Sequence, residues 1–533
     1  MSGATGYDDP GIAGSARVHD LVGIGIGPFN LGLACLVEPL ALDAVFLDRA
    51  DGFAWHHGMM LDGATIQVPF MADLVTMADP TSPFSFLNWL KHSGRLYPFY
   101  IRESFYPLRA EYDAYCRWAS EQLPSLRWGR DVVSVEHDEV RDVYTVRALD
   151  LETGSVETYA ARHVVLGIGT APTVPAALRD LPGLVVHSSD YLPNRERLQA
   201  AGSITVVGSG QSAAEIYRDL LGETRGADAA GEPSSDGYRL DWITRSPRFF
   251  PMEYTKLTLE MTSPEYTDHF HGLPLALRER LGREQRGLYK GISGELIDEI
   301  YDLLYELSAS GPVPTTLLTD TEVLGATWDG TRFRLRLRHA QLEQEHERET
   351  DALVLATGYS AQVPAFLDPV RDRFDWDALG RLDVARDYSI DAGRGRVFVQ
   401  NGEEHTHGLT APDLGFGAWR NAQIIAKICG HEIYPLERSI AFQQFGVPDG
   451  SRDGAGAPPR PAGPPVEERS VSRPAGPPVE ERSVSRPAGP PVEERSVSRP
   501  AGSGSRDGAG APPRPAGPPV EERSVSRPAG VLR

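Results

Sequence analysis

Two glycine-rich turns constrain the fold of this 533-residue chain more than any other feature. The first, Gly25-Ile-Gly27, follows the apolar run HDLVGI, and the second, Gly208-Ser-Gly210, follows SITVV. A glycine turn between a strand and a helix lets backbone amides approach a dinucleotide pyrophosphate at the helix N-terminus. Because the chain contains two such units, the sequence predicts an α/β protein with two Rossmann-like dinucleotide-binding domains.

Polar residues beyond these turns indicate which nucleotide each domain binds. After the first turn, Asn30 replaces the usual third glycine, and Asp48 ends the next strand, where a carboxylate can accept the ribose hydroxyls. After the second turn the acid is missing, and Arg245 and Arg248 follow the next strand. A cation at that place suits the 2′-phosphate of NADPH. The alternative is that these arginines only pair with surface carboxylates.

Charge and composition exclude several classes of protein. A net charge of −21 argues against a nucleic-acid partner, which usually meets a basic face. Three scattered cysteines without a CxxC pair fit a reducing compartment. The first residues lack the basic start and apolar core of a signal peptide. The most apolar run, 21–37, contains Pro28 and Asn30 and too many glycines for a membrane helix. We therefore expect a cytoplasmic protein without a membrane partner.

Other kinds of catalytic site find no support in the sequence. His269 with His271, and His405 with His407, form HxH pairs, but no third ligand stands at metal spacing. We expect these histidines to be solvated or packed and expect no metal site. Neither a G-x-S-x-G elbow nor a P-loop is present. Two dinucleotide sites therefore indicate electron transfer from a nicotinamide to a flavin.

The order of these segments predicts the domain organisation. We expect a flexible N-terminus (1–18), a discontinuous FAD-binding domain (19–200 and 350–445) and an NADPH-binding domain (201–349) with a helical substrate segment at about 250–310. Residues 449–533 repeat RPAGPPVEERSVS and contain no Phe, Tyr or Trp, so they cannot form a core. This predicts a disordered tail, whose repeats are either a docking segment or an expansion without function.

Seven motifs together resemble the class B N-hydroxylating flavoprotein monooxygenases over roughly residues 17–446. They are VGIGIGPFNLGLA, FAWHHGMML, QVPFMADL, ADPTSPFSFLNWL, VVGSGQSAAE, LATGY and HTHGL. Members of this family hydroxylate an amine of L-lysine, L-ornithine, cadaverine or putrescine for hydroxamate siderophores. The resemblance implies FAD and NADPH as cofactors, O2 and a small amine as substrates, and oxygen transfer from a C4a-hydroperoxyflavin. It also implies a homo-oligomer, a tetramer or a dimer.

The resemblance also assigns site residues by motif. Residues of the FAD site are Gly25, Gly27, Asn30, Asp48, Trp55, His56 and Gln67. Those of the NADPH site are Gly208, Gly210, Gln211, Ser212 and Arg245. Segments expected to close over FAD and the reaction centre contain Thr357, Gly358, His407, Gly408 and Leu409. The catalytic candidates are Gln67, beside the flavin ring, and Arg109, near the nicotinamide. For Trp55 and the HGL turn, ordinary packing is the alternative.

Two substrate positions depart from the amino-acid hydroxylases. At the place of Ala72 those enzymes carry a lysine that meets the substrate carboxylate, and at the place of Leu259 the ornithine enzymes have an asparagine. Losing a charged hydrogen bond costs about 1.5–3 kcal/mol. We therefore expect a substrate without a carboxylate, cadaverine first and putrescine second. L-Lysine stays the alternative, because Lys91, Lys256 or Lys290 could supply the missing contact.

Two other classes of protein share part of this pattern. A Baeyer–Villiger or sulfide-oxidising flavoenzyme would have both glycine turns, but it would lack the segment from QVPFMADL to SFLNWL. A flavin-binding interaction protein built around the repeats would not need two intact nucleotide sites. The sequence favours the N-hydroxylase over both.

Overall fold

The computed structural model of the chain describes residues 17–224, 237–391 and 393–447. Its strands are β1 (Val18–Ile24), β2 (Ala44–Leu47), β3 (Leu126–Arg127), β4 (Arg130–Asp138), β5 (Val143–Asp150), β6 (Val156–Leu166), β7 (Ala171–Pro172), β8 (Leu184–His187), β9 (Ser203–Val207), β10 (Arg239–Ile243), β11 (Thr315–Leu318), β12 (Thr321–Trp328), β13 (Phe333–His339), β14 (Gln344–Thr350), β15 (Ala352–Leu355), β16 (Tyr359–Ser360) and β17 (Val397–Val399). Its α-helices are α1 (Pro28–Val37), α2 (Phe86–His92), α3 (Leu96–Ile101), α4 (Arg109–Ser120), α5 (Tyr191–Gln199), α6 (Gln211–Leu221), α7 (Lys256–Leu259), α8 (Pro264–His271), α9 (Leu275–Glu284), α10 (Gly294–Ser308), α11 (Glu404–His407) and α12 (Gly417–Cys429).

The predicted terminal segments fall largely outside the described part of the chain. The predicted disordered tail, 449–533, lies wholly outside it. Of the predicted flexible N-terminus, 1–18, only Arg17 and Val18 are described, and Val18 already begins β1.

The first sheet has seven strands in the order β3-β2-β1-β6-β5-β4, with β17 beside β6. The strands β3, β2, β1, β6 and β17 are parallel, whereas β4 and β5 are antiparallel to their neighbours. One face packs against α1, α2, α4 and α12 in a large apolar core. Parallel strands that are buried on both faces are mostly apolar. An apolar run followed by a glycine turn, as at the end of β1, therefore predicted this half of the fold.

The second sheet has five parallel strands in the order β11-β10-β9-β15-β8, and α6 and α10 pack on it. Both β8 and β15 belong here, although the sequence analysis assigned their residues to the FAD domain. An apolar run reveals a buried strand but does not reveal its partners, which the hydrogen bonds between β15 and β9 fix. The predicted boundaries at 200/201 and 349/350 therefore differ from the sheet membership.

Smaller elements join and cover the two sheets. The strands β12, β13 and β14 form an antiparallel meander, and β7 pairs with β16. Helices α7 to α10 lie in the segment predicted to be helical at about 250–310, and its binding of the substrate stays a prediction. Its helix α8 contacts the segment after β17, since Thr267 Oγ1 lies 3.2 Å from Thr410 Oγ1. Among the described residues, no helix is both long and apolar enough to cross a bilayer.

Candidate flavin and nicotinamide site

The first glycine turn lies where the carboxyl ends of several parallel strands meet. Gly25 has a φ of +87°, and a Cβ at this position would lie 2.5 Å from the carbonyl oxygen of Gly167. Both the backbone conformation and the close approach therefore require glycine. Gly27 precedes α1 in an extended conformation, without a side chain over the N-terminus of the helix. A pyrophosphate is suited to such an exposed helix N-terminus.

Asn30 and Asp48 hold this turn in place. The buried Asn30 donates from Nδ2 to the carbonyl oxygen of Gly25 at 2.8 Å, and its Oδ1 accepts from Gln400 Nε2 at 2.8 Å. Asp48 Oδ2 accepts from the backbone N–H of Ile26 at 2.7 Å, and the residue stays half-buried. Asn30 thus shapes the turn from within, and a direct contact of either side chain with FAD stays a prediction.

Gln67 carries a polar group that the described protein leaves without a partner. Its main-chain oxygen accepts from the hydroxyl of Tyr254 at 2.5 Å, whereas its side-chain Nε2 is buried and has no partner among the described residues. A buried donor without an acceptor costs about 1–3 kcal/mol. A flavin ring offers carbonyl oxygens and ring nitrogens as acceptors, so this side chain fits the predicted cofactor.

Trp55 and His56 form an aromatic cluster near the start of α4. The ring of Trp55 lies 4.8 Å from that of His56 and 4.9 Å from that of Tyr112. Burial, together with the charge of Arg109, lowers the pKa of His56 to about 4, so its ring is neutral at physiological pH. The ring contacts of Trp55 agree with the packing alternative, and its contact with FAD stays a prediction.

The second glycine turn packs against the 356–359 turn. A Cβ on Gly208 would lie 2.3 Å from the carbonyl oxygen of Ala356, which excludes a side chain there. Gly210 immediately precedes α6, and Ser212 lies in the first turn of that helix. Gly208 and the turn after β15 therefore form one surface at the carboxyl end of the second sheet.

The 356–359 turn is also tied to Thr173, the residue that follows β7. Thr357 Oγ1 donates to the carbonyl oxygen of Thr173 at 2.5 Å, and Thr173 N donates to Gly358 O at 2.8 Å. Gly358 has a φ of +87°, a conformation that favours glycine. The sequence analysis expected this turn to close over FAD, and that role stays a prediction.

Arg109 and Gln211, assigned to the site by separate motifs, meet at Glu215. Arg109 Nη1 and Nη2 donate to the two carboxylate oxygens of Glu215 at 3.0 and 2.8 Å, and Nη1 also donates to Met59 O at 2.5 Å. Gln211 Nε2 donates to Glu215 Oε1 at 3.0 Å, and its Oε1 accepts from Ser293 N at 2.9 Å. The sequence analysis missed Glu215, although its place one helical turn after Gln211 was a usable signal.

Arg245 lies just beyond β10, near the second glycine turn, and its side chain is exposed. It forms no ion pair with an acidic group in the described ranges, and Arg248 lies over the ring of Phe250 at 4.2 Å. The alternative that both arginines serve surface ion pairs gains no support from these contacts. Binding of a 2′-phosphate by Arg245 stays a prediction.

The HGL turn is held by ordinary packing. The buried ring of His407 stacks on Tyr388 with centroids 4.5 Å apart, and burial lowers its pKa well below the usual value. Gly408 has a φ of +69° and lies against the ring of Phe270, and Leu409 packs in the same small cluster. The packing alternative explains these contacts, and closure over FAD stays a prediction.

In each HxH pair, one histidine lies within hydrogen-bond distance of a main-chain oxygen. His271 Nε2 lies 3.0 Å from Val384 O, and His405 Nε2 lies 2.7 Å from Leu382 O. Within the described ranges, no group of three potential ligands is arranged for a metal ion.

The two substrate positions differ in burial. Ala72 is only 6% exposed, whereas Leu259, the last residue of α7, is 43% exposed. Of the lysines that could replace a missing cation, Lys290 already donates to both carboxylate oxygens of Glu404 at 2.7 and 2.8 Å. Lys91 and Lys256 are exposed.

Two Rossmann-like domains, each with a glycine turn between a parallel strand and a helix, are typical of flavoproteins that also bind a nicotinamide nucleotide. The model of the L-lysine 6-monooxygenase/L-ornithine 5-monooxygenase family matches residues 17–361, and the chain belongs to this family. It is a flavin-dependent N-hydroxylating monooxygenase that uses FAD and NADPH, which confirms the predicted cofactors.

Three relatives place the chain within the family. The putrescine N-hydroxylase of Shewanella oneidensis is 47% identical over 429 residues, covering 80% of this chain and 84% of that protein. The FAD-bound cadaverine monooxygenase of the desferrioxamine pathway from Erwinia amylovora is 50% identical, with a TM-score of 0.78 over 81% of this chain and 99% of that one. An ornithine N-hydroxylase from Kutzneria, with reduced FAD, NADP+ and L-ornithine, is 29% identical, with a TM-score of 0.71 over 78% and 99%.

Proposed function

We propose that this enzyme hydroxylates one primary amine of an aliphatic diamine, cadaverine before putrescine, for the synthesis of a hydroxamate siderophore. Ala72 is the observation that carries the proposal, because a small, buried apolar side chain stands where the amino-acid hydroxylases have a lysine. A substrate carboxylate placed against this wall would lack its cation. A charged hydrogen bond is worth about 1.5–3 kcal/mol, or roughly 10- to 150-fold in affinity.

The surroundings of Ala72 offer little to replace that cation. Lys290 is held by Glu404, and Lys91 and Lys256 lie exposed on their helices. L-Lysine stays the alternative substrate, since an exposed lysine can move. The relatives favour the diamine, because the putrescine and cadaverine enzymes are 47% and 50% identical to this chain, against 29% for the ornithine enzyme.

The reacting amine of the substrate must be in its neutral form. An alkyl amine has an ordinary pKa near ~10.4, so only about 0.1–1% is neutral at pH 7–8. A desolvated pocket beside the flavin would favour the neutral form of the reacting amine, whose lone pair is the nucleophile. Bound FAD would supply the redox chemistry by which one atom of O2 goes to that nitrogen and the other leaves as water, with two electrons from NADPH. Gln67 would bind the flavin ring through Nε2 while Tyr254 holds the Gln67 backbone.

The test compares four amines on one preparation. Purified protein with FAD and NADPH is given cadaverine, putrescine, L-lysine or L-ornithine, and hydroxylated amine is measured beside hydrogen peroxide. We expect kcat/KM to be highest for cadaverine. Turnover of L-lysine equal to or better than that of cadaverine would contradict the proposal.

A variant of Ala72 tests the reason behind this specificity. Ala72→Lys places a cation on the wall, and we expect it to raise KM for cadaverine at least about tenfold and to improve L-lysine relative to cadaverine. Ala340→Lys, which adds the same charge after β13, is the control and is expected to leave both values unchanged. An Ala72→Lys enzyme with the wild-type preference would show that this position does not select the substrate.

A further inference from the structure

An acidic side chain, Asp413, lies beside Ala72 on the segment that leads into α12. A Cβ built on Gly415 would lie 3.0 Å from Asp413 Oδ1 and 3.5 Å from the Cβ of Ala72. The carboxylate and the methyl group therefore flank the same glycine. Asp413 is absent from the residues predicted by motif, because it lies more than 300 positions from Ala72 along the chain.

Asp413 is also linked, through Tyr254, to Gln67 at the predicted flavin site. The charge of Asp413 adds to burial in raising the pKa of Tyr254, so the two groups lie within electrostatic reach. Tyr254 in turn donates to the main-chain oxygen of Gln67 at 2.5 Å. Ala72 and Asp413 thus lie around Gly415, and Tyr254 links this group to the main chain of Gln67.

Asp413 has no cationic partner in the described part of the chain. Its Oδ1 accepts from the backbone N–H of Phe416 at 3.0 Å, and no lysine, arginine or histidine of the described ranges forms an ion pair with it. Arg420 exerts an attractive charge on Asp413, but it is buried and paired with Glu403. Burial raises the pKa of Asp413. A partly accessible carboxyl group with a raised pKa and no ion-pair partner is stabilised in its charged form by a ligand that carries a positive charge.

Beside Ala72 the protein therefore has an acidic group, whereas the carboxylate of an amino-acid substrate requires a cation. In the amino-acid hydroxylases a lysine at the place of Ala72 attracts a carboxylate. Here a methyl group and an acid stand together, which attracts an ammonium group and repels a carboxylate. The preference for a diamine would then have two sources. Asp413 attracts the ammonium group, and Ala72 replaces the lysine that would attract a carboxylate.

We propose that Asp413 binds the distal ammonium group of the diamine, the one that is not hydroxylated. This inference rests on the proposed diamine function and names the residue that recognises the second amine. A diamine bound in this way presents its other amine toward Gln67 and the flavin. An alkyl monoamine of equal length would lack the contact.

Asp413 also caps the segment before α12 through Phe416 N, so the test must separate its charge from that bond. Asp413→Asn keeps an oxygen acceptor for Phe416 and removes only the charge. Asp329→Asn is the matched control, because Asp329 Oδ1 accepts from Thr331 N at 2.8 Å in an exposed turn far from the site. Bound FAD per chain reports correct folding of both variants.

The measured quantity is the ratio of kcat/KM for cadaverine to that for pentylamine, a probe without the second amine. We expect the ratio to fall about 10- to 150-fold in Asp413→Asn, mainly through KM for cadaverine, and to keep its wild-type value in Asp329→Asn. An equal loss for both amines, or an unchanged ratio, would overturn the role of Asp413. A wild-type enzyme that hydroxylates neither diamine would instead overturn the proposed function, and this is seen before any variant is made.

Discussion

The ion pair between Arg109 and Glu215 joins α4, beside the first sheet, to α6, on the second, and its removal gives a quantitative test. The change is Glu215→Gln, which keeps the shape of the side chain and removes its charge. Both side chains are largely buried, with 12% of Arg109 and 8% of Glu215 exposed. Arg109 would then keep its charge without the carboxylate that compensates it.

The structure sets the size of the effect. Breaking a buried pair by neutralising one partner costs about 3–5 kcal/mol, whereas exposed pairs contribute about 0–1 kcal/mol. The lower end applies here, because Arg109 keeps its bond to Met59 O and one amide oxygen can still accept from it. We expect the free energy of unfolding to fall by about 3 kcal/mol.

Urea titration followed by tryptophan fluorescence measures this change, and the rate of flavin reduction by NADPH measures its effect on the site. The control is Glu284→Gln, whose partner Arg280 lies 3.7 Å away with both side chains about 60% exposed. The control should cost less than about 0.5 kcal/mol. A loss below about 1 kcal/mol in Glu215→Gln would refute the argument, because the pair would then behave as a surface pair.

Three further predictions concern the cofactor, acid stability and the repeats. Arg245→Ala should raise KM for NADPH far more than KM for NADH, and equal losses would contradict a 2′-phosphate contact. The pKa of buried His407 lies below its unfolded value, so the unfolded chain binds more protons as pH falls below about 6.5, and stability drops by up to about 1.4 kcal/mol per pH unit. His407→Asn should flatten that slope in urea titrations at pH 5–7, and an identical slope would exclude His407 as its source. Ending the chain at residue 448 should leave amine hydroxylation nearly unchanged, and a large loss of turnover would give the repeats a role.

Local signals in the sequence predicted the parts of the fold that depend on neighbouring residues. Gly25 and Gly208 stand at turns where a side chain would collide with a backbone carbonyl, and that requirement is visible as glycine spacing. The strands and helices around both turns were predicted for the same reason. The assignment of β15 failed, because the partner of a buried strand depends on hydrogen bonds to residues far away in sequence.

At the site, too, local motifs were visible in the sequence, whereas contacts between distant residues were not. Gln67, Arg109 and Gln211 were proposed by motif, whereas the pairing of Glu215 with Arg109, 106 positions away, depends on how two helices pack. Asp413 was missed for a related reason, because its place beside Ala72 depends on how the chain returns after the second domain. Contacts between residues far apart in the sequence are therefore harder to predict than the residues of a single motif.

The bond between Asn30 and Gln400 has a consequence for how the protein is made. These two side chains are 370 positions apart, and the strand before Gln400, β17, completes the parallel part of the first sheet. During synthesis the first domain therefore waits, with one strand and one brace missing, until the whole second domain has left the ribosome. The domain that begins the chain is completed only after the second domain has been made, and the first glycine turn gains its brace only once Gln400 has been synthesised.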